Sequence, residues 1–141
     1  MLTFPKIYSK ISESRRKAAS LVKIDKPRTG IEKRTGYRYF MAWTSSPKKI
    51  DPKTGRVVVN KNKERYLTMV YLLDNNNHIK LSCSCPDYLF RHEVALFTND
   101  ASDVIYSNGD YPKVTNPLLE PSCCKHCLAL YKLLYKHGFV E

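Results

Sequence analysis

The middle of the chain alternates between apolar and polar residues with the period of two that is typical of β-strands. Residues 37–44, 65–73 and 78–85 are rich in β-forming side chains, and residues 74–77, Asp-Asn-Asn-Asn, favour a turn between the last two segments. These segments predict an antiparallel sheet or hairpin.

Residues 37–44 have two different faces. One face consists of Tyr37, Tyr39, Met41 and Trp43, and the other of Arg38, Phe40 and Ala42. Large aromatic side chains usually pack in a core, and we favour that interpretation for the first face. A row of rings beside arginine could instead stack on nucleic-acid bases.

Three further segments have helical patterns. Residues 7–24 predict an amphipathic helix whose basic residues lie mostly away from its apolar face. This helix either docks on the core with a solvated basic face or lies against phosphates. A second helix would begin at residue 86 or 87 and run through Phe97. Residues 124–137 are apolar over most of a helical surface, which predicts a buried helix with Gly138 as its C-cap.

The remaining segments predict connections. Residues 25–36 combine Pro27 and two glycines with several charges, so we expect a loop. In residues 45–63 a turn signal at residues 51–55, followed by a short strand over 56–60, would give a hairpin arm. Residues 98–122 are loop-like, with a short strand expected over Val104–Tyr106.

All five cysteines lie in two short motifs, Cys83-Ser-Cys85 and Cys123-Cys124-Lys-His126-Cys127. A strand ending at residue 85 would direct both thiols of the first motif to the face that also carries Ile79 and Leu81. Residues two apart point in nearly opposite directions within a helix, so Cys124 and His126 can face one ion only if the helix begins at or near Lys125.

Three thiolates and one imidazole form a complete tetrahedral ligand set for a structural Zn²⁺. We therefore predict a zinc site formed by Cys83, Cys85, Cys124 and His126. Cys123 or Cys127 could replace Cys124 or His126, although small buried side chains beside the site would also explain these two cysteines. An odd number of cysteines with an adjacent pair argues against a disulfide framework and favours a reducing, intracellular setting.

These motifs resemble the SWIM zinc finger, which has Cys-x-Cys, a variable spacer and Cys-x-His. The resemblance covers approximately residues 65–137, and the spacer of residues 86–123 is long for that family. It implies a ββα zinc module that binds DNA or proteins and has no catalytic activity of its own. The expected fold is α+β: an antiparallel sheet or hairpin and a C-terminal helix held by zinc, preceded by a basic N-terminal helix.

The charge of the chain is strongly asymmetric. The formal net charge is +11, and residues 1–66 contain 18 of the 24 Lys and Arg but only 5 of the 13 Asp and Glu. We therefore expect a basic N-terminal segment over residues 1–64 and a zinc module over residues 65–141. A polyanion, with DNA ahead of RNA, is the expected partner. The residues expected to meet phosphates are Arg15, Arg16, Lys17, Arg34, Arg38, Lys48, Lys49, Arg56, Lys61, Lys63 and Arg65.

Two functions are compatible with these patterns. The first is a non-catalytic, zinc-stabilised protein that binds nucleic acid. The second is an adaptor or assembly component of a larger complex, which could be viral, so a virion is a second expected location beside the cell interior. A zinc ion closed by four protein ligands has no open position for water, so we expect neither an enzyme nor a small-molecule substrate. No apolar run is long enough to predict a membrane helix.

Overall fold

The structure, a computed structural model, describes residues 2–107, 109, 112–113 and 115–140. The strands are β1 (Leu2–Thr3), β2 (Lys23–Ile31), β3 (Arg38–Ser45), β4 (Lys48–Ile50), β5 (Val57–Val59), β6 (Arg65–Leu72) and β7 (His78–Cys83). The helices are α1 (Phe4–Tyr8), α2 (Glu13–Ala19), α3 (Glu93–Phe97) and α4 (Lys125–Lys136), and a π-helical turn spans Tyr88–His92. The α+β class, the antiparallel sheet and the C-terminal helix are thus confirmed.

Five antiparallel strands form the central sheet in the order β1-β7-β6-β3-β2, and β4 pairs with β5 in a separate hairpin. The sheet combines strands from both charge segments. Its inner face, which α4 covers, consists of Phe40, Ala42, Thr44, Thr68, Val70, Ile79, Leu81 and Cys83, all of them buried. Its outer face carries Tyr39, Met41, Trp43, Leu67, Met69 and Tyr71, because residues directly opposite one another in an antiparallel pair lie on the same side.

The preference for core packing of the aromatic face of residues 37–44 is wrong. Phe40 and Ala42 are 4% and 1% exposed, whereas Trp43 is 39% exposed. The register explains the difference, because Ala42 pairs with Thr68 and Thr68 with Cys83. The side that carries the cysteine must face α4, so the larger rings on the opposite side are left near solvent.

The predicted helix over residues 7–24 is also wrong in its extent, because the structure has two short helices, α1 and α2. The hydroxyl of Ser12 accepts a hydrogen bond from the backbone N–H of Arg15, so Ser12 acts as the N-cap of a new helix. The pairing of β1 with β7 and the stacking of Phe4 on Tyr131, with ring centroids 3.5 Å apart, anchor the preceding segment against α4.

The predicted loop over residues 25–36 is a strand for most of its length. β2 pairs with β3 as an edge strand, and its register shifts between Asp25 and Arg28. Lys26, with a φ of 52°, and Pro27 lie in this irregularity. Proline lacks a backbone N–H but is tolerated at a bulge in an edge strand, so its presence did not exclude a strand.

The other elements follow the predictions more closely. β3, β6 and β7 occupy the three predicted strands, and β4 and β5 form the expected hairpin arm. The predicted helix after residue 86 is divided into the π-helical turn and α3. Val104–Tyr106 do not form a strand, and Asn108, Asp110, Tyr111 and Val114 of the predicted loop lie outside the described residues.

Helix α4 begins at Lys125, as predicted, and ends at Lys136; its C-cap is His137 rather than the predicted Gly138, which follows directly. Gly138 has a φ of 78°, its N–H donates to the carbonyl of Tyr135, and the N–H of Phe139 donates to that of Leu134. This is a Schellman motif, in which a left-handed residue allows the last carbonyls of a helix to be satisfied. Among the described residues, none of the helices has the length and apolar character needed to cross a bilayer.

Candidate metal centre

Four potential metal ligands converge where β7 ends and α4 begins. Cys83, Cys85, Cys124 and His126 are at most 3% exposed, and their ligand atoms all lie within 4.8 Å of one another. Tetrahedral ligands at bond lengths of about 2.0–2.3 Å would lie about 3.3–3.8 Å apart, so a small contraction would complete the coordination. These four residues could therefore hold a metal ion.

The end of β7 places the first two thiols. Cys83 lies opposite Thr68 on the inner face, with 3.4 Å between its Sγ and the Thr68 hydroxyl. Ser84 continues the pairing beyond the strand, because its N–H donates to the carbonyl of Leu67 and its hydroxyl accepts from the Leu67 N–H at 3.0 Å. Ser84 thereby holds the chain in register, and the next side chain, Cys85, returns to the side of Cys83.

The start of α4 places the third thiol. Cys124 is the N-cap, with an extended backbone, and its Sγ accepts a hydrogen bond from the N–H of Cys127 at 3.5 Å. The positive end of the helix dipole and the free N–H groups of the first turn favour a thiolate at this position. Because Cys124 has a non-helical backbone, its side chain and that of His126 can lie on the same side. Within a regular helix, two residues spaced in this way would point in nearly opposite directions.

The two nitrogens of His126 have different surroundings. Nε2 lies 3.2 Å from the hydroxyl of Ser46, whereas Nδ1 is buried and has no hydrogen-bond partner in the described part of the chain. A buried ring nitrogen without a partner is costly unless something else satisfies it, so Nδ1 is suited to bind a metal. Ser46 would then orient the ring through Nε2–H, a common arrangement around metal-binding histidines.

The pKa values of the thiols diverge. Burial raises the pKa of Cys83, but the neighbouring side chains of Cys124, Cys127, Cys85 and His126 outweigh it, and the pKa of Cys83 falls well below its usual value. Burial raises the pKa of Cys124 and of Cys127. For Cys85 a hydrogen bond with Cys124 lowers the pKa, yet the effects of Cys83 and of burial prevail and raise it. The negative charge of one thiolate therefore disfavours ionisation of the neighbouring thiols, and a bound cation would neutralise this repulsion.

The other two cysteines are free and buried but lie outside the four-residue group. Cys127 donates from its Sγ to the carbonyl of Ser82 at 3.9 Å, and burial raises the pKa of Cys123. Both therefore resemble small buried side chains beside the site.

Sequence reasoning did not identify the residues that support the ligands. Ser46 precedes the β4–β5 arm by two positions, and its carbonyl accepts a hydrogen bond from the side chain of Asn60 at 2.8 Å. Thr68, which contacts Cys83, also hydrogen bonds to Thr44 at 2.9 Å. Isolated Ser and Thr residues carry no signal of such a role, because only the tertiary structure brings them to the cluster.

Asp87 joins the segment after Cys85 to the N-terminal helices. Its carboxylate lies 3.5 Å from Arg15, 3.0 Å from Arg91 and 3.4 Å from His92. Burial raises the pKa of Asp87, but His92 and the two guanidinium groups more than offset this and lower it. His92 is 1% exposed and lies outside the four-residue group, and burial lowers its pKa, so it is a packed residue.

The predicted phosphate-binding residues fall into two groups. Four already have partners: Arg15 pairs with Asp87, Arg16 lies over the Tyr8 ring, Lys17 pairs with Glu13, and Arg65 pairs with Asp25. The other seven are exposed and form no ion pair within the described residues, namely Arg34, Arg38, Lys48, Lys49, Arg56, Lys61 and Lys63. Five of these seven lie in or beside the β4–β5 arm.

Comparisons with protein-family models, with curated proteins and with solved structures gave no match to this chain. Its function therefore has to be inferred from the geometry and chemistry of its own residues.

Proposed function

We propose that this chain is a non-catalytic nucleic-acid-binding protein whose C-terminal half is stabilised by a structural Zn²⁺. The observation that supports it most strongly is the buried group of three thiols and one imidazole between β7 and α4. This donor set is the one that structural zinc sites use, and softer thiolate ligands disfavour Mg²⁺ and Ca²⁺. The spacing of the four ligands resembles that of the SWIM zinc finger, and this resemblance is part of the proposal.

Zinc would connect the sheet to its covering helix. Cys83 and Cys85 would bind from the end of β7, and Cys124 and His126 from the start of α4. A structural Zn²⁺ supplies binding free energy that is also folding free energy. Four protein ligands leave no position for water, which supports a structural rather than a catalytic role.

Metal analysis tests the zinc site. We expect one zinc per chain in the purified protein and its loss in Cys85→Ala, with a large fall in the melting temperature. Cys123→Ala is the matched control, since it removes an equally buried thiol outside the group and should retain the metal. Zinc loss from both variants, or from neither, would contradict the assignment.

Nucleic-acid binding is supported by the net charge of +11 and by the exposed, unpaired cations around the hairpin arm. Binding that depends on phosphate contacts should weaken steeply with added salt, because released counterions then contribute less. The test is fluorescence anisotropy of labelled DNA and RNA oligonucleotides across a salt series. Absence of binding at low salt would overturn this part of the proposal and favour a protein adaptor.

A further inference from the structure

The outer face of the sheet carries large side chains in cross-strand pairs. Tyr39 lies opposite Tyr71, Met41 opposite Met69, and Trp43 opposite Leu67, and the rings of Tyr39 and Tyr71 are 6.3 Å apart. Trp43 is 39% exposed and the other five are half-buried, although β3 and β6 lie within the sheet rather than at its edge. Helix α4 covers the opposite face, so these side chains form a surface that solvent can reach.

Charged groups surround this surface. The guanidinium of Arg65 lies 5.4 Å from the centre of the Trp43 ring, and Arg28 is opposite Met41 on β2. At the far end, Arg34 and Lys80 line a small pocket with Tyr71, together with the carboxylates of Glu32 and Asp103. Arg28 and Arg34 form no ion pair among the described residues, whereas Arg65 pairs with Asp25 and Lys80 with Asp103.

We propose that this outer face binds single-stranded nucleic acid, with bases stacked on Trp43 and Tyr39 and phosphates held by Arg28 and Arg65. The inference rests on the proposed function and names the class of nucleic acid and the place where it binds. Exposed rings and arginines on an open sheet are what unpaired bases require, whereas the bases of a duplex are already stacked on one another. Trp43 and Tyr39 are four residues apart on one strand, or about 13 Å, so each ring can take a different base.

The charge pattern distinguishes this occupant from an apolar protein surface. An apolar protein partner would match the rings and methionines but would leave Arg28 to be desolvated without a counter-charge. A strand of nucleic acid satisfies both features, since it offers flat apolar bases and a negative backbone.

The only tryptophan of the chain, Trp43, reports directly on this surface. We expect oligothymidylate or oligouridylate to quench its fluorescence, while a hairpin duplex of equal charge leaves it nearly unchanged. Quenching by one of the two single strands alone would assign the site to DNA or to RNA, and either result supports the proposal.

Variants separate stacking from charge. Trp43→Leu and Tyr39→Leu should each weaken binding of labelled oligothymidylate about tenfold, because stacking contributes substantially for every base. The salt dependence should be unchanged, since no phosphate contact is removed. Trp43→Phe should retain most of the affinity. The control is Tyr135→Leu, which removes a ring that is 65% exposed on α4 and should have no effect.

Equal affinity for single strands and duplex, with unquenched Trp43 and ring variants like wild type, would overturn this inference but leave the proposed function intact. Failure of every oligonucleotide to bind would overturn both. Two measurements do not depend on the leucine variants: the quenching of Trp43 in the wild-type protein and the affinity of the Trp43→Phe variant. The test therefore remains valid even if a leucine variant unfolds.

Discussion

The two faces of the central sheet differ in the size of their side chains and in how far those side chains are exposed to solvent. On the inner face the side chains are buried beneath α4, and apart from Phe40 they are medium-sized or small. On the outer face the side chains are larger and are in contact with solvent. In β3 the usual expectation that the largest aromatics form the core is reversed, since Tyr39 and Trp43 lie on the outer face. The comparison indicates that the inner face serves stability, whereas the outer face is not needed to fill the core.

The largest expected difference follows removal of the proposed Zn²⁺. With a strong chelator, we expect amide protection to be lost in α4 and β7 and the melting temperature to fall by tens of degrees, since structural zinc contributes about 10–16 kcal/mol in zinc-finger peptides. Hydrogen exchange followed by mass spectrometry provides the measurement. Unchanged protection in α4 would mean that the inner face is stable without the ion.

Two leucines on opposite faces provide a matched comparison. Leu81 is 1% exposed on the inner face, whereas Leu67 is half-buried on the outer face. Leu81→Ala should cost about 2–5 kcal/mol because it removes buried atoms and leaves a cavity. Leu67→Ala should cost about 1 kcal/mol. Urea unfolding of both variants measures the difference, and equal losses would contradict the contrast between the faces.

Effects smaller than that of Leu81→Ala are expected from enlarging one residue on each face. Ala42→Val on the inner face should destabilise the protein by about 1–3 kcal/mol, because a packed core cannot accommodate added volume without strain. At Gly30 an added Cβ would meet the Tyr39 hydroxyl at 2.6 Å, but that ring lies on the open face and can move aside. Gly30→Ala should therefore cost less than about 1 kcal/mol.

Thermal denaturation of the two variants, with the wild type as reference, measures these small effects. A larger loss for Gly30→Ala than for Ala42→Val would show that Tyr39 is held as tightly as a core residue. Such a result would also weaken the case for a recognition surface, because a fixed and covered ring cannot accept a base.

Several features were predictable from local patterns. The alternation of residues 37–44, 65–73 and 78–85 indicated the strands, and Gly138 indicated the end of the last helix. The spacing of Cys83, Cys85, Cys124 and His126 indicated four residues that the fold does bring together. In these segments the local preference and the final structure agree, as is usual in well-specified sequences.

The predictions failed where tertiary contacts outweighed local signals. Pro27 and Gly30 indicated a loop, but pairing with β3 and a bulge at Pro27 produced an edge strand. The apolar spacing of residues 7–24 indicated one helix, but the Ser12 cap and the anchoring of Phe4 on Tyr131 divided it. The first outcome depends on pairing with a neighbouring strand, and the second on a local cap combined with a ring contact from α4.

The sequence by itself determined strands β3, β6 and β7, the buried closing helix and the residues available to a metal, because each depends on spacing within a short segment. Only the tertiary structure decided which face of the sheet became the core. That choice follows from the register of β3, β6 and β7, which places Ala42 and Thr68 in line with Cys83 and beneath α4. The same register turns Tyr39 and Trp43 toward solvent, since neighbouring residues of a strand point to opposite sides.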